Sequence, residues 1–265
     1  MKLMNIASGS QGNCTFVGTE KTAFLVDSGI SMKKTEEGLN SVNLSLKDID
    51  GIFITHEHID HVKSLGTIMR KYGTPVYLTE KTRDAVLSMT SLGKMDTSLL
   101  KIIDNRNTFK IKDMDISTHP ISHDAADPVC YSFSDGKSKA ALATDLGCYD
   151  DDMISFLSDH DSLLIEANHD IRMLEAGPYP YQLKKRILGD KGHLSNESSG
   201  LLIRELLNDH IKNIILGHLS HENNFIELAY ETVKEELKGN PYTDDVRDFN
   251  LNVARRDMCS AMAEF

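Results

Sequence analysis

The run His56-Glu57-His58-Ile59-Asp60-His61 constrains this chain more than any other feature. Four potential metal ligands fall within six residues, directly after Gly51-Ile52-Phe53-Ile54-Thr55, an apolar and β-branched stretch that reads as a strand. Ligands at a strand's end are held by a rigid scaffold yet face the open rim of a sheet. Neutral imidazoles with a carboxylate suit Zn²⁺, Mn²⁺ or Fe²⁺. A single metal would use two of these side chains and take the rest from elsewhere, so four at this density suggest two adjacent metals. A lone histidine ahead of a helix is ordinarily a surface residue; three with an aspartate in this pattern are read as a metal cluster.

The rest of the chain alternates strands with helices. Strands are expected over 2–7, 14–18, 22–27, 51–55, 76–78, 101–103, 109–111, 115–118, 130–134, 140–144, 162–166, 211–216 and 249–254. Helical periodicity covers 32–39, capped by Ser31, then 64–72 ending at Gly73, and 81–92 closed by Gly93. Later helices are expected over 151–157, 171–175, 181–188, 197–207 and 225–237, and Ser8-Gly9-Ser10-Gln11-Gly12-Asn13 is a turn by composition. Strands cluster early and in the middle while helices bracket them, which describes a layered α/β protein. With 265 residues, 40% of the chain hydrophobic and no Pro-, Gly- or Ser-rich linker, one domain over 1–265 is expected.

Charge and cysteine content bound the function. A net charge of -11 weighs against a general nucleic-acid coat but leaves room for a local cationic groove. The stretch 172–191 sets Arg172, Lys184, Lys185, Arg186 and Lys191 against Glu175 and Asp190, with Tyr179 and Tyr181 nearby. Such a stretch can contact phosphates and stack on a base, and it reads equally well as a solvated helix face. Arg255-Arg256 would extend the same surface. No apolar run approaches the roughly 20 residues of a membrane span, and the first residues are too short and polar for a signal peptide. Four scattered cysteines, Cys14, Cys130, Cys148 and Cys259, suit reduced thiols in a cytoplasmic protein.

Across essentially its whole length the chain resembles the metallo-β-lactamase superfamily, whose signature is His-x-His-x-Asp-His after a strand. Leu25-Val26-Asp27-Ser28-Gly29 is similar to the family's first motif, and Ile121-Ser122-His123-Asp124 to its third. Ala143-Thr144-Asp145-Leu146-Gly147 and Leu216-Gly217-His218-Leu219-Ser220 match the two that follow. The resemblance implies an α/β, four-layer αββα sandwich. It implies His56, His58 and His123 on one metal, Asp60, His61 and His218 on a second, and Asp145 bridging. Asp27 would support the metal loop without binding. Two divalent ions, two aspartates and a bridging hydroxide leave a net charge of about +1, which favours an anionic electrophile such as a phosphodiester.

Ile165-Glu166-Ala167-Asn168-His169 and Gly192-His193-Leu194-Ser195-Asn196 resemble the phosphodiesterase branch of that superfamily. By that similarity His193, at a helix start, would donate a proton to the leaving oxygen or contact the scissile phosphate. Asp60 and His193 are thus the catalytic candidates, and His169, Asn196, Lys184, Lys185 and Arg186 the substrate-side candidates. Together with Ala7-Ser8-Gly9-Ser10-Gln11-Gly12-Asn13 and Ser122-His123-Asp124-Ala125-Ala126-Asp127-Pro128, these motifs resemble the bacterial YycJ/WalJ-like group, understood as 5′ to 3′ DNA exonucleases linked to repair. Asp145 and His218 stand only 73 positions apart, too close for the inserted domain of the RNA-processing relatives, and no long arm for transfer RNA is evident. The implied activity is a two-metal phosphodiesterase that uses a metal-bridging hydroxide on duplex DNA with a free end. The alternatives are a hydrolase of a cyclic phosphodiester, thioester or lactone, and a non-catalytic metal-stabilised binding protein.

Overall fold

A computed structural model describes residues 1–265 apart from 243, 244 and 257. Its contacts divide the chain into two compact units, one made of Met1–Pro120, Ala125–Gly136 and Arg255–Glu264, the other of Ile121–Asp124, Lys137–Ala254 and Phe265.

The first unit opens with β1 (Lys2–Ala7), β2 (Cys14–Gly18), β3 (Ala23–Val26), α1 (Met32–Asn40) and β4 (Gly51–Phe53). It continues with α2 (Ile59–Val62), α3 (Leu65–Tyr72), β5 (Val76–Leu78), α4 (Glu80–Ser88) and β6 (Leu100–Ile102). β7 (Asn107–Ile111), β8 (Met114–Pro120) and β9 (Val129–Ser134) form an antiparallel meander. β1, β2 and β3 pair antiparallel, and β3 to β6 run parallel.

Alternation along these strands sorts side chains onto two faces. Ile6, Leu25, Ile52 and Ile54 pack with Leu39 of α1, Ile68 of α3 and Val86 of α4. Phe24 and Phe53 point the other way. Phe53 meets Phe24 edge-on at 5.0 Å, stacks on Tyr77 at 4.8 Å and meets Tyr131 and Phe133 of β9 at 5.3 and 5.5 Å. This aromatic layer fixes the strand that delivers the histidine run. The Tyr131 hydroxyl donates to Ile54 O at 2.7 Å, and Val129 N donates to Thr55 O at 3.0 Å.

In the second unit β10 (Lys139–Ala143), α5 (Asp151–Leu157), β11 (Ser162–Glu166), α6 (Ile171–Ala176) and α7 (Tyr181–Ile187) precede α8 (Asn196–Leu206), β12 (Asn213–Gly217), α9 (Ile226–Glu236) and β13 (Leu251–Val253). β10 to β13 are all parallel, and every residue of β11 and β12 is buried, the pattern of a sheet covered on both faces. α8 lies close against α9 because residue 200 is glycine: a Cβ there would meet the Glu236 side chain at 2.6 Å. β14 (Ala263–Glu264) returns to the first unit and pairs with β1.

α2 and β14 lie outside the elements expected from the sequence, and several of the expected elements differ at their ends. The helix expected over 81–92 stops at Ser88, and Met89 is extended. The Arg70 guanidinium holds Leu92 O and Lys94 O at 2.8 and 2.9 Å, a tertiary contact that pulls this segment out of helical register. The strand expected over 249–254 begins only at Leu251, after a 3-10 turn. No helix among the described residues is long and apolar enough to cross a membrane.

Candidate metal centre

In the first unit, β4 ends two residues before Thr55, and the short helix α2 carries Asp60 and His61. Asp27, immediately after β3, is the hub beneath them. Its carboxylate accepts from Thr55 N at 2.9 Å, from the Thr55 hydroxyl at 3.0 Å and from His61 Nδ1 at 2.7 Å. A proton on His61 Nδ1 leaves the lone pair on Nε2, the arrangement by which carboxylates orient metal-binding imidazoles. His56 Nδ1 lies 3.0 Å from the Thr55 hydroxyl, which turns its Nε2 toward His58. His56 Nε2 and His58 Nδ1 stand 3.1 Å apart, a separation that two lone pairs tolerate only with a proton or a cation between them. His56 and His61 are fully buried, and Asp60 Oδ2 lies 3.6 Å from His61 Nε2. Buried, oriented imidazoles beside a carboxylate are a donor set that fits a first-row divalent ion.

Two residues outside the run buttress it. Asn13 N donates to Asp60 O at 2.8 Å, and its side-chain amide lies 3.0 Å from His61 Nε2. Glu57, between the histidines, accepts from Ala126 N at 2.8 Å and so anchors the segment after Ala125. Gly29 is required by close approach: a Cβ there would stand 1.6 Å from Asp60 O.

In the second unit, Asp145 follows β10, Glu166 ends β11 and His218 follows β12, so three polar side chains stand at the carboxyl ends of adjacent parallel strands. Ligand sites gather at that edge of parallel sheets. His193 joins them from the segment before α8, and donor atoms of Asp145, Glu166, His193 and His218 all lie within 4.8 Å of one another. Glu166 Oε1 accepts from His193 Nδ1 at 2.8 Å and from His218 Nδ1 at 2.9 Å, and its Oε2 accepts from Leu146 N at 2.7 Å. Burial works against the Glu166 charge, but the two imidazoles outweigh it and hold the carboxyl below the usual carboxylate range. Burial likewise opposes a charge on His193, and Glu166 and then Asp145 reverse that and raise its pKa. His193 alone of the four reaches solvent, its side chain 12% exposed against 0–3% for the others. His123 Nδ1 lies 3.2 Å from Gly192 O, with Nε2 3.7 Å from Asp145 Oδ1.

The substrate-side candidates separate. Asn196 is fully buried and its amide pairs with Asn224, which removes it from any surface a substrate reaches. His169 is 1% exposed with both ring nitrogens buried, and burial lowers its pKa to about 4, a neutral ring in the interior rather than a surface contact. Arg186 grips the Asp124 carboxylate through two nitrogens, beside His123, and Lys184 Nζ donates to Glu175 O. Lys185 is exposed, as is Tyr181 at 75%. In the sequence Glu166 stands out only as part of a motif. Its signal was a carboxylate closing an otherwise apolar buried strand, which demands partners.

The sequence matches the profile of the metallo-beta-lactamase superfamily over residues 7–218. It is 40% identical over 233 residues to Exodeoxyribonuclease YycJ of Bacillus anthracis, covering 88% of each chain. It is 43% identical over 232 residues to Exodeoxyribonuclease WalJ of Streptococcus pneumoniae serotype 2 (strain D39 / NCTC 7466), covering 88% of this chain and 86% of that one. Among solved structures it is similar to the metallo-beta-lactamase fold protein YhfI from Bacillus subtilis, with a TM-score of 0.69, 16% identity and 98% of each chain covered. At that identity the likeness concerns the fold, an α/β sandwich of mixed sheets and helices.

Proposed function

The chain belongs to the metallo-beta-lactamase superfamily and is a metal-dependent hydrolase, and from that premise we propose that it is a two-metal DNA exonuclease acting 5′ to 3′. The reading takes the chain as one hydrolase domain working in the cytoplasm in DNA repair, on duplex DNA with a free end. His56, His58 and His123 would hold one divalent ion, Asp60, His61 and His218 the other, with Asp145 shared; Zn²⁺, Mn²⁺ and Fe²⁺ all suit these ligands. When bound, the ions supply a hydroxide nucleophile at neutral pH and draw charge from the phosphate.

The observation that carries the phosphodiester reading is the Glu166–His193 pair at 2.8 Å. Glu166 engages Nδ1, so Nε2 of the solvent-reaching ring is the atom that meets a substrate. A carboxylate behind it favours the protonated ring, which suits a donor to the alkoxide leaving from phosphorus. Asp60 is the second catalytic residue beside His193 in this reading, and Asp27 orients His61. Exposed Lys185 contributes to phosphate contact and Tyr181 to base stacking. Strong similarity to two proteins named exodeoxyribonuclease supports DNA over a small ester.

The test is product analysis on 5′- and 3′-labelled duplex and single-stranded DNA with Zn²⁺, Mn²⁺ or Fe²⁺, alongside bis(p-nitrophenyl) phosphate. Mononucleotides released first from the 5′ end are expected. Hydrolysis of the small ester with every DNA intact would overturn the nuclease reading and leave a small-molecule hydrolase.

A further inference from the structure

Four segments of the second unit carry the polar cluster, and one buried residue joins three of them, those of Glu166, His193 and His218. Asn168, 5% exposed, lies two positions beyond Glu166. Its backbone N–H donates to Leu194 O at 3.0 Å, in the segment that carries His193. Its carbonyl accepts from Ser220 N at 2.8 Å, and its side-chain amide donates to His218 O at 2.9 Å. His218 sits at φ +56, a left-handed conformation unusual for a residue with a Cβ. The Asn168 amide therefore bonds the carbonyl of the one strained residue in that loop.

Two more asparagines close the arrangement. Asn224 Nδ2 lies within hydrogen-bond distance of Ala167 O at 2.9 Å, Asn168 O at 3.0 Å and Asn196 Oδ1 at 2.8 Å. Asn196 Nδ2 returns a bond to Asn224 Oδ1 at 3.1 Å, and Phe225 N donates to the same oxygen at 3.0 Å. The amide orientation of Asn224 is thus fixed, because its NH₂ faces two carbonyls and its oxygen faces a backbone N–H. Asn196 N donates to His169 O, and His169 and Ser195 form a parallel bridge. All three side chains are buried, so none is held by solvent.

We propose that Asn168, locked by Asn224 and Asn196, is a positioning residue that sets the Glu166–His193–His218 geometry by clamping the three loops and holding His218 in its left-handed backbone. The proposal deepens the phosphodiesterase reading and rests on it for the catalytic consequence, while the geometric consequence stands without it. Fully satisfied buried amide networks specify one arrangement, and a broken member leaves unpaired carbonyls that loosen it. Asn168→Ala removes the bond to His218 O. Asn224→Asp turns a donor that faces two carbonyls into a repelling carboxylate.

The experiment compares Asn168→Ala, Asn168→Asp and Asn224→Asp with Asn208→Ala, a control whose amide donates to His160 O away from these loops. The first readout is side-chain ¹H–¹⁵N spectroscopy of the imidazoles in the full chain. Wild type and Asn208→Ala are expected to show protected Nδ1–H signals for His193 and His218, and the Asn168 and Asn224 variants to lose or broaden them. The second is turnover of bis(p-nitrophenyl) phosphate with Mn²⁺, where the variants at positions 168 and 224 are expected to lose about 10–100-fold in kcat with little change in KM. Asn208→Ala should keep kcat at a similar loss of Tm. Imidazole signals unchanged in Asn168→Asp, or a kcat loss no greater than that of Asn208→Ala at equal Tm, would overturn the proposal. Should wild type hydrolyse neither ester nor DNA, the phosphodiesterase reading fails while the imidazole spectra still decide the clamp.

Discussion

Asp27→Asn is the sharpest perturbation of the first unit, because it changes charge and donor pattern but almost no volume. Asn tolerates the left-handed conformation that Asp27 adopts at φ +63, so the backbone has no reason to move. The amide oxygen can keep the bond from Thr55 N, now made by Oδ1 at 2.9 Å. The NH₂ then replaces Oδ2 opposite His61 Nδ1–H, presently 2.7 Å away, and two donors face each other. The ring escapes by moving its proton to Nε2, which removes the lone pair from the atom needed by a metal. Exchanging one charge-assisted hydrogen bond for a neutral one costs about 1–2 kcal/mol. For a chain of this size that is a Tm drop of roughly 3–6 °C. The tautomer change should weaken metal binding about 10–100-fold. Differential scanning calorimetry of the metal-free protein and titration calorimetry with Zn²⁺ measure the two effects separately. A Tm unchanged within error together with unaltered Zn²⁺ affinity would refute Asp27 as the orienter of His61. Asp27→Ala should be far worse, about 5 kcal/mol, since it leaves Thr55 N–H and His61 buried without acceptors and puts alanine at positive φ.

Other outcomes follow from the same geometry. His193→Gln should lower kcat about 10²–10⁴-fold with a small change in Tm, and equal loss of kcat and stability would reject its role as proton donor. Gly29→Ala should be recovered poorly or unfold at much lower temperature than wild type, because its Cβ would stand 1.6 Å from Asp60 O; a soluble variant of normal Tm would show that the loop relaxes freely. In thiol titration with a disulfide reagent, exposed Cys148 should react at once in native protein. Cys14 and Cys130, whose thiols burial pushes up, Cys130 to about 12, should react only on unfolding.

The cluster of the first unit was legible because its residues are local in sequence. His56, His58, Asp60 and His61 declared themselves because four side chains able to bind metal fall in six residues after a recognisable strand. The supporting shell was far less legible. Asn13 lies 47 positions from Asp60, and Asn224 lies 56 from Asn168, so no local pattern marks either contact. Asn196 is a substrate-side candidate through its motif alone, and what buries it is Asn224, a partner 28 positions away that no local pattern marks. Charge counting over 172–191 overstated the free cation content, since Asp124, outside that window, occupies Arg186. Strands and helices were read well wherever burial is one-sided or complete. Their ends shifted where a distant side chain, such as Arg70 at Leu92, competed with local propensity.

Three residues of the candidate centre share a backbone signature that sequence cannot reveal. Asp27, Asp145 and His218 sit at φ +63, +60 and +56, each just past the end of a strand. Left-handed conformations at such residues cost about 1–3 kcal/mol each and persist only where the surroundings over-determine them. The surroundings do so by separate means. Asp27 N donates to Phe53 O while its carboxylate holds Thr55 and His61; Glu166 takes Leu146 N directly after Asp145; the Asn168 amide takes His218 O. Glycine at any of the three would relieve the backbone but remove the very side chain that the strain presents at the sheet rim. Stability and function therefore oppose each other at these positions. In the second unit the buried bonds from Glu166 and Asn168 hold the strained turns at Asp145 and His218, so breaking either should free its turn before it unfolds the sheet.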